Sequence, residues 1–393
     1  MELLYISSFM FEKENDEFFG LPSCSNSFFE KYLDVFEKIK VLGENFKKYL
    51  DLSSLVKIDD KKIRIKILPA NTHPKDFKND KKIKKMLFEE IYKADAILIK
   101  PSSRKGIMAI KIAKQLKKPY MIELTGDIHN ALKRNPNFLK KLYAPILYWN
   151  IKRHIKKCKF GLYVSKYYLQ SQFPINGLMC GCSDVELKDF REEIINKRIQ
   201  RITTKDFKND CVDLGLIGFY QGKMKGVDCA IRALSHLPQN YNLTILGNGT
   251  EENRQKWYRY AEKRGVKNRL KFEMPLKSSM EVCNWLDKID FFVFPTKSEG
   301  LPRVIVEAMS RGLVCFASNI CTLPELLDNN CLFKLNDDLE LSRLIKFYSK
   351  NRLYQIEQSK RNFETSKQYQ YDLLKNKRNE FLKKFKEYCE NTL

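Results

Sequence analysis

Short β-rich runs alternate with segments of helical periodicity in the first half of the chain, and this alternation restricts the fold more than any other feature. The runs predicted as buried strands are residues 2–9, 62–69, 96–103, 119–124 and 161–166. The segments between them that repeat apolar residues every three or four positions are 28–39, 81–93 and 106–118. Strands that alternate with helices predict a parallel sheet with helices on both faces.

The alternation starts again after a charged stretch, residues 186–210, which has no clear periodicity and is predicted to be a crossing between two domains. The second set of predicted strands is 212–218, 241–249, 268–274, 289–295 and 313–318, with helices at 226–237 and 250–265. We therefore expect an α/β chain of two Rossmann-like doubly wound domains that face a cleft, with the ligand at the carboxyl ends of the strands. The predicted domains are 1–190 and 191–365, and a helical C-terminal segment, 366–393, is expected to pack back on the N-terminal domain.

Positive charge is concentrated in the N-terminal half of a chain whose net charge is +24. Residues 101–182 contain sixteen Lys and Arg and two acids, Glu123 and Asp127. Within them, residues 137–160 alternate aromatic and aliphatic residues with lysine clusters, which is typical of a helix lying on an anionic membrane surface. The alternative is a domain helix whose apolar stripe belongs to the core and whose lysines are solvated. No nucleic-acid-binding motif accompanies the charge, so we expect no nucleic-acid partner.

The N-terminus lacks a basic region followed by an apolar run, and no uncharged apolar stretch is long enough to span a membrane. The eleven cysteines include no C-x-x-C pair. These features predict a cytoplasmic protein with reduced thiols.

Residues 291–312, FFVFPTKSEGLPRVIVEAMSRG, have the pattern of a ligand-binding strand, loop and helix. The strand is predicted to end at Pro295, and the helix to begin near Pro302 and to stop at Gly312. Free N–H groups and the helix dipole favour an anion at such a helix start, and a phosphate is the expected guest.

Two acids in this segment suggest what the ligand is. Glu307 lies more than one turn inside the apolar helix, where a carboxylate needs hydrogen-bond donors that its sequence neighbours do not supply. A ribose offers two hydroxyls, and Glu299 in the loop is placed to accept bonds from sugar hydroxyls of the same ligand. A nucleotide sugar fits this arrangement. The alternative is one exposed loop acid and one acid paired to a lysine.

The segment resembles the signature of family 4 of the retaining glycosyltransferases, enzymes of GT-B fold with a Glu-x7-Glu motif. The segments that carry this resemblance are 292–327, 217–237 and 243–257, with 117–127 and 161–174 similar to the branch that builds bacterial surface polysaccharides. The resemblance implies an N-terminal acceptor-binding domain and a C-terminal domain that binds the nucleotide sugar. It also implies transfer of a sugar to a growing saccharide with retention at the anomeric carbon.

Carried over to this chain, the resemblance implies that Glu299 contacts the transferred sugar, Glu307 holds the ribose, and Lys225 neutralises the diphosphate. Where the family commonly has Gly-Arg after the first strand of this domain, the chain has Gly218-Phe219, so one phosphate-binding cation is missing. Lys223 is the candidate substitute, although lysine provides a point charge and not a bidentate fork.

Further donor-site candidates follow from the same resemblance. They are Gly300, Leu301 and Pro302 at the helix start, Gly249 in the glycine loop, and Met274 and Leu276 beside the base. In the N-terminal domain, Asp127 is a candidate to orient the acceptor hydroxyl or to act as a base, and a turn or helix-capping role is the alternative.

No Asp-x-Asp pair occurs in the chain, so we expect a metal-independent hexosyltransferase-type enzyme without a cofactor, in which lysine and helix N–H groups take the place of a divalent ion. The expected partners are a nucleotide-sugar donor, a lipid-linked saccharide acceptor and the anionic inner leaflet of the plasma membrane. Two alternatives stay open: a nucleotide-sugar epimerase or phosphorylase on the same scaffold, and a non-catalytic basic protein that binds polyanions.

Overall fold

The computed structural model describes residues 1–46, 55–71, 74–135, 137–185 and 187–392. These residues form two compact units: unit 1 is Met1–Cys182 with Leu374–Leu393, and unit 2 is Ser183–Leu373. The sequence placed the domain limits at 190 and 365, whereas the two compact units meet at Cys182/Ser183 and at Leu373/Leu374. None of the helices in the described ranges has the length and apolarity needed to cross a membrane.

Unit 1 is a mixed sheet flanked by helices. Its strands are β1 (Glu2–Glu14), β2 (Glu17–Gly20), β3 (Lys38–Asn45), β4 (Val56–Ile58), β5 (Ile63–Leu68), β6 (Ala96–Ile99), β7 (Tyr120–Leu124), β8 (Phe160–Tyr163) and β9 (Leu178–Gly181). Its helices are α1 (Asn26–Leu33), α2 (Asp80–Lys93), α3 (Arg104–Gln115), α4 (Ile128–Lys133), α5 (Phe138–Ile155) and α6 (Tyr168–Gln172).

The strands of unit 1 run parallel in the order β5-β3-β1-β6-β7-β8-β9. Strand β2 pairs antiparallel with the end of β1, and β4 pairs antiparallel with β2. The strand order reverses between β1 and β6, because β3 and β5 lie on one side of β1 and the later strands on the other. In open α/β sheets, ligands bind outside the carboxyl ends of the strands at such a reversal.

The predicted helix 28–39 is wrong in its second half. The helix α1 ends at Leu33, and β3 begins at Lys38. Ile39 and Val41 pair with β1 and are fully buried. Helical spacing of apolar residues continues to Ile39, but pairing with two neighbouring strands outweighs this local preference.

Unit 2 is a parallel sheet with the strand order β12-β11-β10-β13-β14-β15. Its strands are β10 (Val212–Ile217), β11 (Tyr241–Leu246), β12 (Leu270–Glu273), β13 (Phe291–Phe294), β14 (Val314–Ser318) and β15 (Leu332–Phe333). Its helices are α7 (Glu192–Thr204), α8 (Val227–Ser235), α9 (Glu251–Glu262), α10 (Ser279–Lys288), α11 (Arg303–Ser310), α12 (Leu323–Leu326), α13 (Asp338–Lys350) and α14 (Arg352–Ser366). The near-continuous apolar strands expected of a two-sided parallel sheet are present, and the predicted class of two Rossmann-like α/β domains is confirmed.

The charged stretch 186–210 was predicted to be an irregular crossing between two domains, and this prediction is wrong. Most of the stretch is α7, which belongs to unit 2 and buries Ile194, Arg198 and Ile202 on one face. The Arg198 guanidinium donates to three carbonyl oxygens at the ends of two helices, those of Leu286 at 2.9 Å, Ile289 at 2.7 Å and Arg311 at 3.1 Å. Burial lowers the pKa of Arg198 to about 10. A charged residue is therefore the core anchor of this helix, which a hydrophobic pattern cannot reveal.

The last helix, α15 (Tyr371–Glu390), lies mostly in unit 1. Phe381 and Phe385 pack on Phe160 of β8 with ring centroids 5.7 Å and 5.4 Å apart. Asn379 and Lys386 donate to residues 34 and 35 near the end of α1. The end of the chain thus completes the core of unit 1.

Candidate active site

The candidate active site lies in unit 2 where the strand order reverses, between β10 and β13. The loop after β10 carries Lys225, and the loop after β13 carries Glu299. Because both loops leave the carboxyl ends of neighbouring parallel strands, they meet at the place where open α/β sheets bind ligands.

Gly226 allows these two loops to touch. Its backbone is left-handed, with φ of +72°, and a Cβ on it would lie 1.9 Å from the Pro295 carbonyl oxygen. The Lys297 N–H donates to the Met224 carbonyl at 2.8 Å and joins the same two loops. Any residue larger than glycine would push the loops apart, so Gly226 is what brings Lys225 beside Glu299.

Lys225 and Glu299 form an ion pair. The Nζ of Lys225 lies 2.6 Å from Oε1 of Glu299, and the side chains are 27% and 12% exposed. The hydroxyl of Thr296, a fully buried residue, donates to the same Oε1 at 2.8 Å. Among the described residues none bonds to the other oxygen, Oε2, which is left for a ligand.

The helix α11 follows directly and has the predicted limits. Pro302 is at its N-cap position, and no side chain caps its first turn. At the other end Gly312 has a φ of +63°, and the N–H groups of Gly312 and Leu313 donate to the carbonyls of Met309 and Ala308. This is a Schellman ending, and the uncapped start leaves N–H groups for an anion.

Glu307 lies on α11 and is half-buried. Burial raises the pKa of its carboxyl, and the Arg303 charge one turn earlier lowers it only in part. In the part of the chain that the structure describes, Glu307 has no hydrogen bond or ion pair through its carboxylate. The acid that pairs with a lysine is Glu299, and Glu307 keeps the capacity to accept bonds from a ligand.

The other residues predicted to bind the donor lie in three loops of unit 2 and differ in exposure. Gly300 is held because its carbonyl accepts from the Thr322 hydroxyl, and Leu301 next to it is half-buried. Gly249 lies against the Tyr220 ring, where a Cβ would come within 2.2 Å of a ring carbon. Met274 is 59% exposed just after β12, and Leu276 is half-buried.

Phe219 occupies the position where the family resemblance implies an arginine, and this position is open to solvent. Phe219 is 63% exposed directly after Gly218, and Lys223 in the same loop is exposed as well. No salt bridge involves Lys223 among the residues described. The loop therefore presents one exposed cation and one exposed aromatic ring beside Lys225.

Asp127 belongs to unit 1 and has the capping role that was the alternative prediction. It is the N-cap of α4, where its carboxylate accepts from the Asn130 N–H at 3.0 Å and from the Asn130 side chain at 2.6 Å. The Tyr168 hydroxyl donates to it at 2.6 Å. Its side chain is buried, and both oxygens are engaged.

Sequence reasoning missed Thr296 and the structural part of Gly226. Both had a signal: Thr296 directly follows a buried strand at the ligand edge of the sheet, and Gly226 precedes a helix in the loop of the neighbouring strand. Only the contact between the loops shows that they act on the same pair of side chains. No group of three His, Cys, Asp or Glu side chains in the described ranges is arranged to hold a metal ion.

The helix α5 of unit 1 carries a second surface of functional interest. Its buried stripe is Ala144, Leu147, Ile151 and Ile155. Its opposite side, which we call the α5 apolar face, consists of Phe138, Leu139, Leu142, Ile146 and Trp149, each between 56% and 73% exposed. The core stripe belongs to the domain-helix alternative, and the membrane-surface prediction stays a prediction for the α5 apolar face, which is exposed among the described residues.

The chain is similar to known proteins in sequence and in fold. Residues 221–368, which include Lys225, Glu299 and Glu307, match the family model described as glycosyl transferases group 1. Protein CapJ of Staphylococcus aureus is 29% identical over 351 residues, covering 88% of this chain and 85% of CapJ. The O-antigen biosynthesis glycosyltransferase WclY of Escherichia coli is 29% identical over 133 residues, 34% of this chain and 36% of WclY.

The crystal structure of HepE from Anabaena in complex with UDP-glucose has the same fold. It superposes with a TM-score of 0.65 at 14% identity, covering 98% of this chain and 100% of HepE. Residues 221–368 of this chain are therefore similar to the glycosyl transferases group 1 family, in a chain of GT-B fold whose relatives include an O-antigen biosynthesis glycosyltransferase.

Proposed function

We propose that this protein is a retaining glycosyltransferase that moves a sugar from a nucleotide diphosphate sugar to a saccharide acceptor in the synthesis of a surface polysaccharide or glycolipid. The observation that carries the proposal is the convergence of Lys225, Glu299 and the uncapped start of α11 at the strand-order reversal of unit 2. This convergence lies inside the segment that matches the group 1 family model.

Each group has a part of the donor to bind. The diphosphate contacts the Lys225 ammonium and the N–H groups at the start of α11, Glu299 accepts bonds from the transferred sugar, and Glu307 accepts bonds from the ribose hydroxyls. The base lies beside Met274 and Leu276. The crystal structure of HepE with UDP-glucose supports a nucleotide-sugar donor for this fold.

Charge stabilisation supplies the chemistry. When the bond between the anomeric carbon and the phosphate oxygen breaks, negative charge grows on the diphosphate. With the donor bound, the Lys225 ammonium and the dipole of α11 face that charge, so they stabilise the transition state. We propose that transfer proceeds without a metal ion for this reason, and that retention follows as in the resembling family.

The acceptor is proposed to bind unit 1 at its own strand-order reversal, between β1 and β6. Phe9 and Phe28 are partly exposed there, with ring centroids 5.2 Å apart. The Lys100 ammonium lies 4.4 Å from the Phe9 centroid and 3.6 Å from a carboxylate oxygen of the buried Glu123. Aromatic walls with a few placed polar groups are typical of small-molecule sites, and a saccharide suits this one.

The α5 apolar face supports a lipid-linked acceptor and a cytoplasmic enzyme at the inner leaflet. Toward the end of the helix the same side of α5 presents Arg153, and exposed Lys156 and Lys157 follow it. Apolar side chains enter the headgroup boundary while neighbouring cations contact lipid phosphates, so we propose that α5 lies on an anionic bilayer.

A thermal-shift screen tests the donor assignment. UDP, GDP, ADP and their glucose esters are added in EDTA, without metal. We expect one nucleotide to stabilise the protein, by about 2.7 kcal/mol at a hundredfold excess over its Kd. If none raises the melting temperature, the proposal fails.

Two further measurements separate transfer from the alternatives. An epimerase consumes the nucleotide sugar without an acceptor, whereas a transferase needs the saccharide for turnover. A polyanion-binding protein binds heparin in a salt-sensitive way, and Glu299→Gln leaves that binding unchanged.

A further inference from the structure

Lys225 and Glu299 are assigned to the same ligand, yet they are bound to each other. The ion pair joins the group that holds the diphosphate to the group that holds the sugar. A phosphate that approaches Lys225 must therefore share or replace the carboxylate that already neutralises it.

We propose that Glu299 competes with the nucleotide diphosphate for Lys225, and that Thr296 is the positioning residue that keeps Glu299 in the site when the diphosphate takes the ammonium. This inference rests on the proposed function. It assigns the ion pair to the unloaded enzyme and gives Glu299 a second task, which is to weaken the hold on the product.

The geometry favours replacement of the carboxylate. Lys225 is a flexible side chain with 27% exposure, whereas Glu299 is 12% exposed and is fixed by a second donor. The Thr296 hydroxyl has one proton and three acceptors within reach: Glu299 Oε1 at 2.8 Å, the Met224 carbonyl at 3.2 Å and the Ser298 carbonyl at 3.5 Å. The charged and nearest acceptor is Glu299, so that bond is retained when Lys225 moves.

The competition for Lys225 has different outcomes before and after the sugar is transferred. A complete donor offers Glu299 sugar hydroxyls in exchange for the lost ammonium. After transfer the product is a nucleotide diphosphate without a sugar, and Glu299 then has no partner on the ligand. Recapture of Lys225 by Glu299 weakens the grip on the product and favours its release.

Calorimetric titration of the full chain with UDP, GDP and ADP, and with their glucose esters, tests the proposal. Glu299→Gln should bind the stabilising diphosphate about two- to fivefold tighter than wild type, which is the range for a partly exposed ion pair. The same variant should not bind the glucose ester more tightly. Equal or weaker binding of the diphosphate by Glu299→Gln overturns the inference.

A comparison in the Lys225→Met variant separates competition for the ammonium from charge repulsion between Glu299 and the diphosphate. In Lys225→Met, adding Glu299→Gln should leave diphosphate affinity unchanged, because nothing remains to compete for. If Glu299→Gln tightens binding equally in this background, the carboxylate acts by charge repulsion and the competition is excluded.

The part assigned to Thr296 has its own control. Thr296→Val should lower the affinity for the glucose ester about tenfold, while the affinity for the diphosphate stays at the wild-type level. Thr296→Ser keeps the hydroxyl and should bind both ligands as wild type does. Equal behaviour of the Val and Ser variants overturns the positioning role. If wild type binds none of the nucleotides, the proposed function is what fails, and these comparisons do not arise.

Discussion

The ammonium of Lys225 lies 2.6 Å from the carboxylate of Glu299, although 74 residues separate the two in the chain. Neither residue is near the other in any local pattern, and the contact exists because two loops at the ligand edge of one sheet touch at Gly226. The pair joins the cation proposed for the diphosphate to the acid proposed for the sugar. The predictions that follow concern the groups around it.

Removing the charge of Glu307 should stabilise the unliganded protein. Burial raises the pKa of this carboxyl in the folded state, so the folded protein holds the proton more tightly than the unfolded chain does. The stabilisation from that proton is complete below the ordinary pKa of glutamate and is lost as the pH rises through the folded-state pKa. We therefore expect Glu307→Gln to melt above wild type at pH 7 to 8, with a smaller gain in acid.

The control for this prediction is Glu357→Gln, which removes an exposed acid from α14. It should show little difference from wild type at either pH. A Glu307→Gln protein that melts at or below the wild-type temperature at pH 8 would contradict the account of its burial.

The same residue should determine nucleotide affinity. Hydrogen bonds to a charged group contribute about 1.5–3 kcal/mol, so Glu307→Ala should weaken the stabilising nucleotide diphosphate about 10- to 100-fold. A 2′-deoxy nucleotide should bind more weakly than its ribose form to wild type and equally to the variant. Calorimetry with both nucleotides checks this, and an unchanged ribose preference in Glu307→Ala removes the assigned role.

Placing a second cation after β10 should strengthen donor binding. Phe219 is 63% exposed and occupies the position where the resembling family commonly has arginine. Phe219→Arg adds a guanidinium to the loop that carries Lys225. We expect the affinity for the nucleotide diphosphate to rise two- to tenfold, about the effect of one exposed ion pair or one charge-assisted hydrogen bond. Phe219→Leu is the control for loss of the ring. The gain should shrink at high salt, and a gain equal in both variants would show that the ring and not the missing charge was responsible.

Asp127 should matter for stability and not for proton transfer. Asparagine keeps the oxygen that accepts from the Asn130 N–H, but its NH2 group replaces the oxygen that accepts from the Asn130 side chain and the Tyr168 hydroxyl, so the cap is kept at some cost in stability. We expect Asp127→Asn to keep transfer activity within a fewfold of wild type and Asp127→Ala to lose about 0.5–2 kcal/mol of stability. If Asp127 is instead a base, activity of the Asn variant should fall about 100-fold or more while its melting temperature stays high.

The α5 apolar face should be required for membrane binding. Each exposed leucine or isoleucine contributes up to about 1.5–3 kcal/mol when buried, so Leu142→Ser with Ile146→Ser should lower binding to anionic vesicles at least about tenfold. The matched control is Leu353→Ser, which changes a side chain that is 81% exposed on α14. Flotation with anionic and neutral vesicles measures the effect. Failure of wild type to bind either kind would end the membrane proposal.

The sequence alone determined the two sets of alternating strands and helices, and with them the α/β class. It also placed α11 between Pro302 and Gly312 and singled out Glu299 and Glu307 by their positions, whereas Lys225 was implied only by the family resemblance. These features are local: the period of apolar residues, a proline at a helix start and a glycine at a helix end act within a few residues of where they stand.

Only the tertiary structure decided the rest, because it depends on residues far apart in sequence. It ended α1 at Leu33 in favour of β3, ordered α7 around a buried arginine, and gave Asp127 a capping task. It also paired Lys225 with Glu299 through loops that meet at Gly226, and left one face of α5 exposed among the residues that the structure describes. Strand pairing, loop contact and burial arise when distant segments pack, and no periodicity within one segment encodes which distant partner it will find.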